Sequence, residues 1–207
     1  MRVLFWVQHL LGTGHLKRAL TVSAAMAERG LAVTLASGGP PGPWPPPAGV
    51  ELAQLPPVRA ADVDFSGLVE PDGRPVDDAW RVRRCDALLA LFDRVRPDVL
   101  ITEMFPFGRR MFRFELLPLL ERAAGARPQP RVLCSVRDVL VTKADPARYA
   151  PMRDLALARY DAVLVHTDPA IVPFSLSFPL AADLNDRLVS TGFVVDAMMP
   201  AAPSSGP

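Results

Sequence analysis

The sequence predicts an α/β chain, a Rossmann-like parallel sheet with helices on both faces. Three observations carry that reading. Apolar runs of five or six residues, the length of a buried strand, alternate with segments whose apolar residues recur every three or four positions. The first run is joined to the first helical segment by a loop that holds Gly12 and Gly14. Most of the runs end on polar residues, as strands do where a parallel sheet presents its carboxyl edge.

Residues 2–7 form the first strand of this reading, and residues 15–29 the first helix. Leu16, Ala19, Leu20, Ser23, Ala24 and Ala27 share one helical stripe, and Gly30 stands where a helix stop is wanted. Residues 31–37 and 50–55 are the second and third strands, separated by a proline-rich loop that opens on Gly38 and Gly39. Residues 56–75 read as a further loop. The next helix carries Val82, Cys85, Leu88, Leu89, Phe92 and Val95 at 3.6-residue spacing and stops before Pro97. Residues 98–102 follow as a strand. Residues 112–124 are helical in pattern, and Pro118 within them predicts a kink or two short helices. Residues 131–136 and 162–166 are strands separated by a helix near 147–159, and a helical segment at 180–187 precedes a last apolar stretch at 188–195. One domain over 1–195 and a linker-like tail over 196–207 are the expected organisation.

The chain has 207 residues, half of them apolar, enough to bury a core of ordinary domain size. Its 23 Lys and Arg against 22 Asp and Glu leave a net charge of +1, so no bulk field gathers nucleic acid or acidic lipid. No nucleic-acid partner is expected, while a local basic patch leaves peripheral membrane contact open. No apolar run approaches the roughly 18 residues of a membrane-spanning helix. The N-terminal run is cut off by Gln8 and His9 before it reaches secretory length, so a cytoplasmic location is expected. Cys85 and Cys134 have neither metal spacing nor a disulfide framework and read as buried thiols. Eight of the 23 prolines fall between Pro40 and Pro57, which makes this one irregular surface loop and not a disordered chain.

Ligands of an open parallel sheet sit beyond the carboxyl ends of the strands, so the polar residues there are the candidates for chemistry. His9 and His15 fall in the first loop and His166 closes a later strand, which places three histidines on one predicted edge. The dinucleotide fingerprint G-x-G-x-x-G fails at its third glycine, where Lys17 stands, and the second strand ends on Ala36, Ser37 and Gly38 without the acidic residue that holds a ribose. There is no P-loop and no G-x-S-x-G elbow. No Asp-x-Asp or paired-histidine spacing asks for a metal, so neither a metal nor an organic cofactor is expected. His15 opens a helix, where the macrodipole favours neutral imidazole and prepares a general base. Glu103, at an adjacent strand end, is the natural carboxylate to orient its ring. Arg109, Arg110, Arg113 and Arg137 are candidates to neutralise an anionic acceptor. Phe105, Phe107, Phe112 and Phe114 form an apolar cluster suited to a groove or to the core.

A resemblance sharpens this reading. VQHLLGTGHLKRA at 7–19, AERG at 27–30 and VTL at 33–35 resemble the acceptor-side N-terminal domain of GT-B glycosyltransferases, in particular predicted glycosyltransferases of the family 28 type. SGLV at 66–69, PVDDAW at 75–80, TEMFPFGRR at 102–110, FRFELLPLL at 112–120 and CSVRD at 134–138 extend the likeness to about residue 195. The resemblance implies two Rossmann-like domains around a cleft, the first holding the acceptor and supplying the base, the second binding a nucleotide-sugar donor. TGFV at 191–194 resembles the strand that leads into the interdomain linker, so the donor domain is expected outside residues 1–207. Inverting hexosyl transfer from a nucleotide sugar to a hydroxyl acceptor is the activity implied. His15 takes the base role with Glu103 as its partner, and Gly12, Thr13, Gly14, His9, Arg109, Arg137 and His166 contact substrate. A nucleotide-sugar 2-epimerase of the same architecture and a non-catalytic binding domain are the alternatives. On the GT-B reading the strand-end face is concave and partly hydrophobic, exposing glycine-loop atoms and apolar groups near Phe105 and Phe107.

Overall fold

The structure is a computed structural model that describes residues 1–63, 65–141 and 145–195; the tail over 196–207 lies outside the described residues. Its elements in chain order begin with β1 (Arg2–Val7), α1 (Gly14–Glu28), β2 (Ala32–Ser37) and β3 (Val50–Gln54). There follow two-residue strands β4 (Arg59–Ala60) and β5 (Leu68–Val69), then α2 (Asp78–Val95), β6 (Val99–Glu103) and α3 (Arg113–Gly125). The described chain closes with β7 (Arg131–Arg137), α4 (Tyr149–Arg159), β8 (Ala162–His166) and β9 (Leu188–Ser190). Seven strands pair in the order β3-β2-β1-β6-β7-β8-β9, all parallel. The chain builds outward from β1 in one direction and then, from β6, in the other. β1 and β6 therefore form the topological switch point, with Val3 beside Val99 and Trp6 beside Thr102.

Alternation along the strands separates the two faces. Leu4, Trp6, Leu100, Cys134, Val136, Val163 and Val165 point to the side covered by α2, α3 and α4. Val3, Phe5, Val7, Val33, Leu35 and Ile101 meet Leu16, Ala19 and Leu20 of α1 on the other. Both central strands are buried on both faces, which explains why they read as unbroken apolar runs. The stop predicted at Gly30 takes a specific form: Gly30 sits at φ 80, its N–H donates to the Ala27 carbonyl, and Leu31 N–H donates to Met26. The second helix is capped by Asp77, whose Oδ1 accepts the Trp80 N–H at 2.6 Å.

Four expectations change. Residues 56–75 are not a bare loop, because β4 and β5 pair antiparallel there. Val82 does not join the buried stripe of α2; it is exposed, and the buried side chains are Trp80, Arg84, Leu88, Leu91 and Phe92. Pro118 does not split its helix into two, and α3 runs through it. An interior proline costs about 3 kcal/mol, and the helix buries Leu116, Leu119, Leu120 and Ala123, the leucines alone contributing about 1.5–3 kcal/mol each. Cys134 is fully buried, but Cys85 is only half-buried.

The misplaced stripe hides a polar core. Arg84 and Glu115, both completely buried, meet with Nε 2.7 Å from Oε2. The Arg84 guanidinium also donates to Gln8 Oε1 at 3.0 Å and to the carbonyls of Gly38 and Pro56, while Trp6 Nε1 donates to Glu115 Oε1 at 3.0 Å. Burial draws Arg84 down and pushes Glu115 up, and the charge of each opposes the shift of the other. The network ties the ends of β1 and β2 to α2 and α3. A Cβ at Gly38 would lie 2.1 Å from both Arg84 and Gln8, so any larger residue there displaces this network.

Candidate active site at the switch point

The loops after β1 and β6 flank the crevice at the switch point. From the first comes His15, the second residue of α1; from the second comes Glu103, the last of β6. His15 Nδ1 lies 2.7 Å from Glu103 Oε1. Arg18, one turn along α1, donates to the same oxygen at 2.8 Å and has a nitrogen 3.1 Å from His15 Nδ1. Glu103 is 1% exposed, whereas the His15 side chain is 24% exposed. Burial works to raise the Glu103 carboxyl, but the hydrogen bond from His15 and the charges of His15, Arg109 and Arg18 outweigh it, so the group is held below the usual carboxylate range. An ionised carboxylate only accepts, so Nδ1 of His15 carries the proton and Nε2 is the basic nitrogen. The sharing of Oε1 leaves Glu103 Oε2 buried without a hydrogen-bond partner among the described residues.

The His15 ring borders a cleft of about 360 Å³, with Arg109 and Arg137 also on its wall. Exposed apolar groups at its rim are Phe65, Met111, Val139 and Val141. Phe105 and Phe107, suited by sequence to a groove or to the core, are each 1% exposed and belong to the core. Phe107 is held by edge contacts to Phe174 and Phe178, with centroids 5.5 and 4.9 Å away, so burying aromatic area decides its position. Arg137 pairs with Asp138 at 3.4 Å. Arg109 is left-handed at φ 58, its Nε buried and without a hydrogen bond; burial draws the guanidinium down, Glu103 opposing and Arg18 adding to the effect.

The other two histidines do not join His15 on the cleft. His9 is buried, with its ring against Gly39, where a Cβ would lie 2.2 Å away. Burial lowers its pKa, against an acceptor on the Pro40 backbone. His166 lies on the far side of β7, with Nε2 2.7 Å from Ser135 Oγ and Nδ1 2.7 Å from Thr191 Oγ1. Both its nitrogens are satisfied inside the fold. Gly12 and Gly14 have no positive φ, and a Cβ at either would meet no atom within 4 Å. The turn itself therefore does not demand glycine. Thr13 precedes α1 without a side-chain cap bond. Among the described residues, no three His, Cys, Asp or Glu side chains gather as a metal-ion site, and no helix is long and apolar enough to cross a membrane.

Sequence reasoning passed over Arg18. Its signal was present, because a residue three positions after His15 on a helix shares its face. Arg84 and Glu115, which bond to the ends of β1 and β2 and to each other, carried a weaker one: a charged residue inside an apolar helical stripe.

A parallel sheet with this strand order and a polar crevice at its switch point is the architecture of a GT-B glycosyltransferase-like domain. Among solved structures, the chain superposes on apo UGT2 of Phytolacca americana with a TM-score of 0.52 at 15% identity, over 94% of this chain and 52% of that one. The glycosyltransferase SsfS6 of Streptomyces sp. SF2575 gives 0.50 at 19% identity, over 84% and 52%. A glycosyltransferase from Rickettsia africae ESF-5 gives 0.53 at 9% identity, over 92% and 42%. The chain spans about half the length of these proteins. No family model and no curated protein matches the sequence.

Proposed function

We propose that this chain is the acceptor-binding half of a GT-B glycosyltransferase, in which His15 is the general base and Glu103 its orienting partner. The 2.7 Å contact between His15 Nδ1 and a buried, ionised Glu103 carries the reading. It fixes the tautomer, leaves Nε2 free as the basic nitrogen of a ring that borders the cleft, and supplies a counter-charge for the imidazolium. An acceptor hydroxyl hydrogen-bonded to Nε2 gives up its proton as its oxygen attacks the anomeric carbon of a nucleotide sugar. The new C–O bond forms while the bond from that carbon to the diphosphate oxygen breaks, and the nucleotide diphosphate leaves with the electron pair. Direct displacement inverts the anomeric centre. Gly12 and Gly14 support the same reading, since open space where their Cβ atoms would stand lets a ligand approach the backbone.

The donor belongs to a second domain, on this chain's continuation or on another chain. UGT2 has been solved complexed with UDP-2fluoro-glucose and pterostilbene, which fits a donor and an acceptor meeting in such a cleft. Two free thiols fit a reducing, cytoplasmic setting. The test is reconstitution: residues 1–195 fused to a GT-B donor domain, or mixed with one, should transfer sugar. His15→Ala should then slow the chemical step by ~10²- to 10⁴-fold. An unchanged rate in His15→Ala would remove the base from this residue, and ordinary turnover by residues 1–207 alone would overturn the two-domain account.

A further inference from the structure

A second cleft, of about 470 Å³, opens beside the first and shares Gly108, Arg109 and Arg110 with it. Arg109, Arg110, Arg113 and Arg148 line it, against a single carboxylate, Asp145. Asp145 is already engaged, its Oδ1 accepting the Ala147 N–H at 3.0 Å. Among the described residues none of the four guanidiniums makes a hydrogen bond or an ion pair, although fourteen of the chain's other arginines do. Arg109 is the telling member. Its Nε is buried and unsatisfied, and its backbone is held in the left-handed region, which costs a non-glycine residue of order 1 kcal/mol. Met104, directly after Glu103, is left-handed too, at φ 68. Strain lies at both ends of the segment that connects Glu103 to the arginines, and the Arg109 guanidinium, opposed by the Glu103 charge but making no hydrogen bond, has donors left for an anion. The remaining wall is apolar, from Pro106, Met152 and Leu155.

We propose that this arginine cleft binds a phosphate-type anion borne by an apolar body, and that the acceptor presented to His15 carries that group. The inference rests on the transferase reading for the word acceptor, and on the cleft alone for the anion. Charge decides between anions: four guanidiniums against two carboxylates that are already engaged, Asp145 and Glu103, leave an excess of two that matches a phosphomonoester, with about −1.5 to −2 charge and three acceptor oxygens, better than a monocarboxylate. Arg109, on the wall of both clefts, sets the distance between the bound anion and the reacting hydroxyl.

The probe is phenyl phosphate, titrated calorimetrically into residues 1–207, with phenol and benzoate as controls. Phenyl phosphate should bind, phenol should not, and benzoate should be weaker. The double variant Arg113→Gln/Arg148→Gln, altered only at exposed side chains, should keep its Tm and lose affinity about tenfold or more, with partial recovery in the double lysine variant. Vesicles containing phosphatidic acid, against neutral vesicles, tell whether the group is lipid-borne: arginine-dependent capture by the acidic vesicles assigns it to a lipid, and binding of phenyl phosphate alone assigns it to a free compound. Failure of both probes, or equal binding by the glutamine variant, overturns the site. In the reconstituted enzyme the same variant should raise KM for a phosphorylated acceptor and leave kcat in place. Anion binding without any transfer would sink the transferase reading and leave the cleft assigned, whereas transfer with no response to phosphate would do the reverse.

Discussion

Single side chains at the strand ends divide into those that face the clefts and those the fold consumes. His166 belongs to the second kind. Thr191 Oγ1 lies 3.2 Å from the Gly192 carbonyl and 3.4 Å from that of Val165, both of which only accept. It therefore receives Nδ1–H of His166, and Nε2 accepts from Ser135. Burial, with Arg18 adding and Glu103 opposing, draws the imidazole down to about 4. Between about pH 6.5 and 4 the unfolded chain then binds the proton that the native ring refuses, so stability rises with pH across this window and is lost on acidification. The contribution is up to about 3 kcal/mol. Melting curves for the natural chain and His166→Gln should therefore converge as the pH falls from about 6.5 to about 4; parallel curves would show that the ring is not the titrating group. Gly14 belongs to the first kind. With open space at its Cβ, Gly14→Ala should leave Tm unchanged or slightly raised while weakening acceptor binding. A lowered Tm would return the glycine to a structural role.

At the scale of elements, the strand ends beside the crevice are tied together by α2 and α3. Through Arg84, α2 bonds the end of β1, the loop after β2 and the first turns of α3. Removing one partner of a buried pair leaves the other charge uncompensated, at a cost of about 3–5 kcal/mol. Arg84→Met should accordingly lower stability by about that amount in denaturant titrations, and Arg84→Met/Glu115→Met should recover much of it. Equal losses in the single and double variants would mean that the hydrogen bonds to Gly38 and Pro56, and not the ion pair, fix the helix. Element boundaries were largely legible in the sequence, because strands buried on both faces are unbroken apolar runs and Gly30 and Pro97 are unambiguous stops. The face of α2 was not. Apolar periodicity located the helix but ranked Val82 above Arg84, since a stripe drawn from hydrophobicity has no place for a buried ion pair whose partner lies 31 residues further on. Pro118 misled for a related reason: a local rule forbids it, and tertiary burial of the α3 face outweighs the rule.

For the molecule as a whole, the sequence by itself determined the α/β class, the strand, glycine-loop, helix order at the start, and the places of a histidine at a helix opening and a carboxylate at a strand end. Those features depend on local pattern, where a few neighbouring residues carry the signal. Strand order was not among them. That β6 lies against β1, which brings Glu103 within 2.7 Å of His15 across 88 residues of sequence, follows from how seven strands share two helical layers. The same packing separated the histidines, burying His9 and enclosing His166, and took Phe105 and Phe107 into the core. It also gathered Arg109, Arg110, Arg113 and Arg148 around one cleft, the last of them from beyond β7 and 35 residues away from its nearest companion in sequence. Local sequence fixes which backbone conformations are cheap; which side chains then lose their water, and which meet across the sheet edge, depends on long-range burial that only the assembled fold decides.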